Sequence, residues 1–326
     1  MNRIYCTYFD KNYMIQGLTM IDSLRKCGDL NTVYILALDK ESYITLNNLG
    51  LQNIVILNTS EVENQYPELH KAKRNRNTFE YFFTLTPALI KFVRSLHADK
   101  LSLAVYLDAD LFFFSNPNEI LSKMDSYSVG IIPHRFDLRL AKKLNRFGKY
   151  NVGMVAFKSD SDGMRLLDWW FTSCIEWCYD YVDQGRFADQ RYLDYFEQMS
   201  TDVLVINHLG ANLAPWNVNN YKVFEENGDL YVNSDKLIFF HFHKLTVLYK
   251  KMLIPHIYYR AHLTKTVKNK IYSLYASSLS IQSKRLNVPL TYPMPQFRRP
   301  QGLLRRVRHW ISILVILVRR DFVYID

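Results

Sequence analysis

Strand and helix signals alternate through the first two-thirds of this chain, and that order narrows the fold more than any single residue does. Arg3 to Phe9 reads as a strand, Tyr13 to Lys26 as a helix, and Thr32 to Leu38 as a second strand. Glu41 to Leu49 suggests a short helix and Asn53 to Leu57 a third strand. Thr84 to Leu96 is expected to be helical, with Pro87 confined to the first turn, before a fourth strand at Leu101 to Leu107. This βαβα order predicts an α/β fold with a mostly parallel sheet and helices on both faces. Further strands are expected at Ser128 to Pro133, Val152 to Phe157, Val203 to Ile206 and Leu237 to Phe242. A basic helical segment, Leu138 to Phe147, and a long aromatic helix, Gly163 to Tyr181, fall among them.

Ligands of such sheets bind beyond the carboxyl ends of the strands, and the fourth strand ends in Asp108-Ala109-Asp110. Residues i and i+2 of a strand share a side, so the two carboxylates should converge. Converging buried acids call for a cation, and oxygen ligands suit Mn²⁺ or Mg²⁺. Such an ion would neutralise a diphosphate leaving group. The other reading is an ordinary turn, since Asp is common where strands end. Phe240-His241-Phe242-His243 puts two imidazoles on one face of a strand end, either as further metal ligands or as ordinary histidines. Lys244 follows, placed to meet a diphosphate or simply exposed.

Three loops add chemistry. Asp189, before Gln190, is either an N-cap or a substrate-facing acid. Asn151-Val152-Gly153 opens a strand where a ligand could approach closely or the chain simply bends. Asn212, Trp216 and Asn217 lie on a loop of small residues. An indole face can stack on a sugar and amides can bond its hydroxyls, unless the loop is structural and Trp216 plugs the core.

The chain of 326 residues is 48% hydrophobic, enough for a large core. Met1 to Cys6 reads as a buried strand rather than a signal peptide. The four cysteines form no Cys-x-x-Cys pair and are expected to be reduced thiols of a cytosolic protein; Cys174 and Cys178 share a helix face at i and i+4. The net charge of +10 is uneven: from Lys236 to Arg320 there are 17 Lys and Arg and no acid, so the remainder carries 24 basic and 31 acidic residues. The positive charge gathers around an apolar segment rather than interleaving with aromatics along a face, which argues against nucleic acid.

In their order, these residues resemble the GT-A glycosyltransferases, most closely the family-eight type and related bacterial polysaccharide and lipopolysaccharide transferases. The resemblance runs from about Arg3 to His243 and rests on the N-terminal strand with Thr7, Tyr8 and Asp10 before an Asn-Tyr helix start, then Asp108-x-Asp110, Asn151-Val-Gly, Asp189-Gln190, Ala214-Pro-Trp-Asn217 and His241. It implies that Thr7, Tyr8 and Asp10 cradle base and ribose, that Asp108 touches ribose and metal, and that Asp110 and His241 ligate Mn²⁺. His243 is an alternative ligand. Asn151, Asp189 and Gln190 would meet the donor sugar. UDP-hexose is the implied donor and retention the implied outcome; if the reaction inverts, Asp189 is the candidate base.

The expected organisation is a catalytic domain over 1–245, a helical extension over 246–288, a Pro-rich linker over 289–300 and a basic tail over 301–326. Within the tail, Trp310 to Val318 is apolar except for Ser312 and is flanked by arginines. Nine helical residues rise about 13 Å against a bilayer core of roughly 30 Å, so the segment should not span. It is expected to lie on an anionic membrane surface, the alternative being a helix docked on the protein's own core. The whole predicts a peripheral enzyme of the inner membrane face with a nucleotide-sugar donor and a lipid-linked glycan acceptor. The rivals are a nucleotidyltransferase, disfavoured by the lack of an N-terminal glycine-rich loop, and a non-catalytic membrane-surface protein.

Overall fold

A computed structural model describes residues 3–97, 103–248, 250–290 and 303–325. The central sheet has seven strands: β1 (Arg3–Phe9), β2 (Val33–Ala37), β3 (Ile54–Asn58), β4 (Leu103–Leu107), β6 (Val129–Pro133), β7 (Tyr150–Lys158) and β8 (Val203–Val205). Their order is β3-β2-β1-β4-β7-β6-β8, and β7 alone runs against the others. The mostly parallel sheet is therefore as the alternation predicts. Its strands read as apolar runs because helices cover both faces, and two separate buried clusters lie on either side of it.

Helix α1 (Met14–Lys26) packs on one face, while α2 (Thr78–Ser95) and α3 (Ser161–Glu176) pack on the other. Helix α2 begins six residues earlier than expected. The Asn77 side chain accepts from the Phe79 and Glu80 amides, and the Glu80 carboxylate accepts from the Asn77 amide, a capping box that starts the helix ahead of Pro87. Pro87 therefore sits in the helix interior, not the first turn. Helix α3 starts at Ser161, where Asp160 caps the Gly163 amide, and ends at Glu176. The chain then extends to place Trp177 beneath the Arg186 guanidinium, 4.7 Å from the ring centroid. Cys178 thus lies beyond the helix and does not share a helical face with Cys174.

The segment expected as a last central strand does something else. Strand β12 (Phe239–His241) pairs antiparallel with β5 (Leu111–Phe113), which directly follows β4. Strands β9 (Val223–Glu226), β10 (Asp229–Val232) and β11 (Asp235–Lys236) form a small meander before it. After residue 245 the chain is not simply helical: β13 (Thr246–Leu248) and β14 (Lys251–Leu253) make a hairpin ahead of α4 (Ser273–Leu286). One apolar cluster joins Ile15, Phe112 and Trp216 to Tyr272, Tyr275 and Leu279, so among the described residues 1–245 and the helical extension share a core. From residue 291 on, the Pro-rich stretch lies outside the described residues.

The helix of the tail is longer than the nine residues expected. Helix α5 (Leu303–Arg319) has 17 residues, a rise of about 26 Å, and takes in the preceding arginines instead of starting after them. Among the described residues, no helix is long and apolar enough to cross a membrane. Ile313 and Ile316 are buried against Leu253 and Phe322, and β15 (Phe322–Tyr324) adds to β14 as a third strand. One face of α5 is therefore docked on the body, the alternative left open by sequence.

Replacing Asn77 by Ala removes the acceptor for two amides, and should cost about 1 kcal/mol in urea unfolding. A variant with the wild-type midpoint would show that Pro87, and not this cap, governs the helix start.

Candidate active site

Asp108 and Asp110 sit on the turn between β4 and β5, because β4 ends at Leu107. They converge by way of that turn, not by strand alternation. The β5–β12 ladder supplies the third partner: Leu111 pairs with His241, which sets the imidazole beside the preceding carboxylate. His241 Nε2 lies 3.0 Å from Asp110 Oδ1 and 3.7 Å from Asp108 Oδ2. His243 joins from the same side. Donor atoms of Asp110, His241 and His243 all lie within 4.8 Å of one another, so both histidines, not one in place of the other, face the same point. Asp108 flanks this trio.

Neighbouring side chains fix the geometry. His241 Nδ1 is 3.3 Å from Asn212 Oδ1, so its N–H points at the amide and leaves Nε2 toward the acids. The Trp216 ring packs edge-on against His241 and His243 at 5.0 and 6.0 Å. Gly153 makes room: a Cβ there would come within 2.8 Å of His241 Nδ1 and 2.6 Å of Asn151 Oδ1. The β6–β7 register breaks at this place, from Gly130 opposite Ala156 to Ile132 opposite Asn151, an irregularity in the stretch of β7 that carries Gly153. The Gly153 carbonyl also accepts from the Asp108 amide at 2.9 Å.

The site holds more negative charge than it balances. Burial pushes Asp108 up to about 6, with Asp110 adding to the rise and His241 opposing it. Burial also pushes Asp189 up to about 7. Burial alone would discharge His241, but Asp110 and Asp108 outweigh it and raise its pKa. Two imidazoles and a carboxylate on one point, with a second acid beside them, fit a divalent ion that accepts nitrogen and oxygen together. That is the chemistry of Mn²⁺, iron or zinc more than of Mg²⁺.

Asp189 stands at the N-cap position of a short turn of helix, yet its carboxyl makes no capping bond. It faces Thr86 instead, whose hydroxyl is 3.2 Å from the Tyr8 hydroxyl. Tyr8 stacks obliquely on Tyr106, and Tyr106 donates to Asp108 at 2.9 Å. A continuous polar line thus joins β1 to both acids. Asn151 donates to Gln190 at 3.1 Å, and Gln190 donates to the Phe147 carbonyl at 2.7 Å. These expected sugar-facing residues are together. Thr7 is fully buried in the sheet with its hydroxyl unpartnered, and Asp10 accepts from the Asn12 and Tyr13 amides at the start of α1. Lys244 is exposed at the rim, 5.9 Å from the Tyr259 ring.

Asn212 and Asn217 are fully buried and Trp216 nearly so. Asn217 bonds to Ala214, His134 and Asn212, and Trp216 donates to the His134 carbonyl at 3.0 Å. In this conformation the loop seats His241 rather than presenting amides to a sugar. His134 was missed from sequence. It follows β6 at the carboxyl end of the sheet, lies 3.5 Å from Asn151, and is kept neutral by burial, which lowers it to about 3. Applying the strand-end rule to β6 as well as β4 would have found it.

Gly153→Ala should displace the His241 ring, cost about 1–3 kcal/mol in thermal unfolding and weaken titrated Mn²⁺ binding. Unchanged metal affinity would remove this glycine from the site. Asp189 has a folded pKa of about 7, above its unfolded value, so it contributes stability that is lost as pH rises through 7. In chelator, Asp189→Asn should therefore lose less melting temperature than wild type between about pH 6 and about pH 8. Parallel pH profiles would contradict the buried, protonated acid.

No family model matches the sequence. The chain is 33% identical to the uncharacterized protein YfnD of Bacillus subtilis (strain 168) over 278 residues, covering 84% of this chain and 88% of YfnD. It is 28% identical over 286 residues to the uncharacterized protein YfnF of the same strain, covering 86% and 92%. Among solved structures, an active-site mutant of LgtC superposes with a TM-score of 0.50 at 11% identity, over 82% of this chain and 100% of that one. The shared architecture is the expected GT-A fold. By its extended likeness to YfnD, the chain belongs to the YfnD family.

Proposed function

We propose that the protein is a metal-dependent glycosyltransferase that moves a hexose from a nucleotide sugar, with UDP-hexose the first choice, to a glycan acceptor. The observation that carries this reading is the meeting of Asp110, His241 and His243 within 4.8 Å at the carboxyl end of β4, beside Asp108. The fold is shared with LgtC, a galactosyltransferase solved with donor and acceptor sugar analogues. A bound Mn²⁺ would supply positive charge for a departing diphosphate. Asp110, His241 and His243 would hold such an ion, and Asp108 beside them would reach toward the ribose. Tyr8 and Asp10 at the end of β1 line the nucleotide side, with Thr7 supporting them from within the sheet. Lys244 at the rim meets phosphate as a point charge.

Asn151, Gln190 and Asp189 border the place of the donor sugar. With its pKa near 7, Asp189 can hold a hydroxyl of the sugar as donor or acceptor. A buried acid ringed by Thr86 and Tyr8 is poorly placed to deprotonate an acceptor in bulk solvent, which favours retention. The acceptor is taken to be lipid-linked and the protein to work at an anionic membrane surface on the cytoplasmic side. The support is charge: 17 Lys and Arg without one acid from Lys236 to Arg320.

Asp110→Asn and His243→Ala should each abolish Mn²⁺-dependent stabilisation by UDP in a thermal-shift titration while leaving the metal-free melting point nearly unchanged. If UDP stabilised these variants as it does wild type, or stabilised none with Mn²⁺ present, the transferase reading would be abandoned.

A further inference from the structure

The face of α5 away from the body is as apolar as the docked one. Val307, Trp310, Ile311, Leu314 and Val318 are 47, 53, 54, 61 and 76% exposed, at the spacing of one helical stripe. Single exposed apolar residues are ordinary, but a continuous stripe of large ones calls for a partner. Where this helix ends, an open groove of about 710 Å³ lies between it, β14, β15 and the turn before α4. Lys251, Lys268, Arg320, Leu317, Phe322 and Tyr324 line it.

The groove concentrates positive charge on a hydrophobic floor. Lys251 Nζ lies over the Phe322 ring at 4.7 Å and the Tyr324 ring at 5.9 Å. Lys268 lies 5.8 Å from Phe322 and donates to the Arg320 carbonyl at 2.7 Å, leaving two of its three donor hydrogens. The nearby carboxylate, Asp321, is paired with Arg319 at 3.1 Å and also feels the charge of Lys268. Lys268 is carried on a π-helical turn, Val267–Tyr272, a rare backbone form that recurs at functional places.

We propose that this groove binds the phosphate headgroup of an anionic membrane lipid, a phosphomonoester or diphosphate, while the exposed stripe of α5 lies among the lipid chains. The two features share one helix, so a single amphiphile or bilayer edge satisfies both: the stripe needs hydrocarbon and the groove needs an anion. A soluble phosphate would leave the stripe bare, and an acidic peptide would bring no hydrocarbon to cover it. The proposal rests on the membrane-surface part of the proposed function, not on the transfer reaction.

The test is co-sedimentation of the full chain with phosphatidylcholine vesicles carrying phosphatidic acid or phosphatidylglycerol, matched in zeta potential. Wild type should bind the phosphomonoester vesicles several-fold better. Lys251→Ala with Lys268→Ala should lose about thirtyfold, near 1 kcal/mol per lysine at 1.4 kcal/mol per decade. Lys265→Ala with Lys284→Ala, two exposed lysines outside the groove, should lose much less. Trp310→Ser with Leu314→Ser should abolish binding to every vesicle at an unchanged melting point. Because Lys268 also ties down the turn at Arg320, Lys251→Ala alone is the safer variant and should lose half of the effect on a logarithmic scale. Equal losses from the two lysine pairs would mean diffuse attraction and overturn the site. Tight binding of inorganic phosphate without vesicles would overturn the lipid. Metal-dependent UDP binding, measured in the same variants, should not change, so failure of this proposal and failure of the transferase reading are separable.

Discussion

A three-residue ladder carries the site. β5 and β12 are far apart in sequence, and only their antiparallel pairing brings His241 opposite Leu111 and hence beside Asp110. Phe113 and Phe239 pack across the same ladder at 5.5 Å between ring centroids, and both are buried. The apolar residues of the ladder thus hold register, and register holds the imidazole. A slip of one residue would turn His241 away from Asp110 and bring a phenylalanine in its place. The register break in β7 and the missing side chain at Gly153 are the matching accommodations on the facing strand.

Around that ladder the electrostatics are unbalanced. A structural ion pair would show a carboxylate with a lowered pKa and a satisfied cation; here Asp108 and Asp189 are both pushed upward. Raised acids in a buried setting store unfavourable charge unless a proton or a metal arrives. The Asn212–Asn217 loop removes one degree of freedom from that arrangement by fixing His241, and His134 removes another by holding the loop through its carbonyl. The amides that looked ready for a sugar are inward-facing supports.

Much of this was legible in the chain. The parallel sheet follows from alternating apolar periods, and the acids follow from where such sheets keep their ligands. Asp108, Asp110, His241 and His243 do meet, although by a turn and a cross-strand pair that local spacing cannot reveal. The start of α2 was readable in Asn77-x-x-Glu80 but was hidden by Pro87, whose usual place is a first turn. The role of β12 was not readable, because an apolar strand of three residues gives no sign of which sheet it will join. His134 escaped because a lone histidine beside a proline carries no pattern, and burial, not sequence, makes it neutral. The hairpin after residue 245 was obscured by the abundance of lysine, which favours neither helix nor strand strongly.

The last strand gives the tail an architectural duty. β15 completes a three-stranded ladder with the hairpin β13–β14, and Val323 and Ile325 belong to the same buried cluster as Trp216 and Phe242. Cutting the chain before α5 would unzip that edge and open a water path to the packing behind His243, which stands three positions before β13 begins. A shortened protein would therefore lose part of its core as well as a helix. The tail strand and the candidate site share one buried cluster, so truncation would disturb both, whereas surface substitutions on α5 leave that ladder in place.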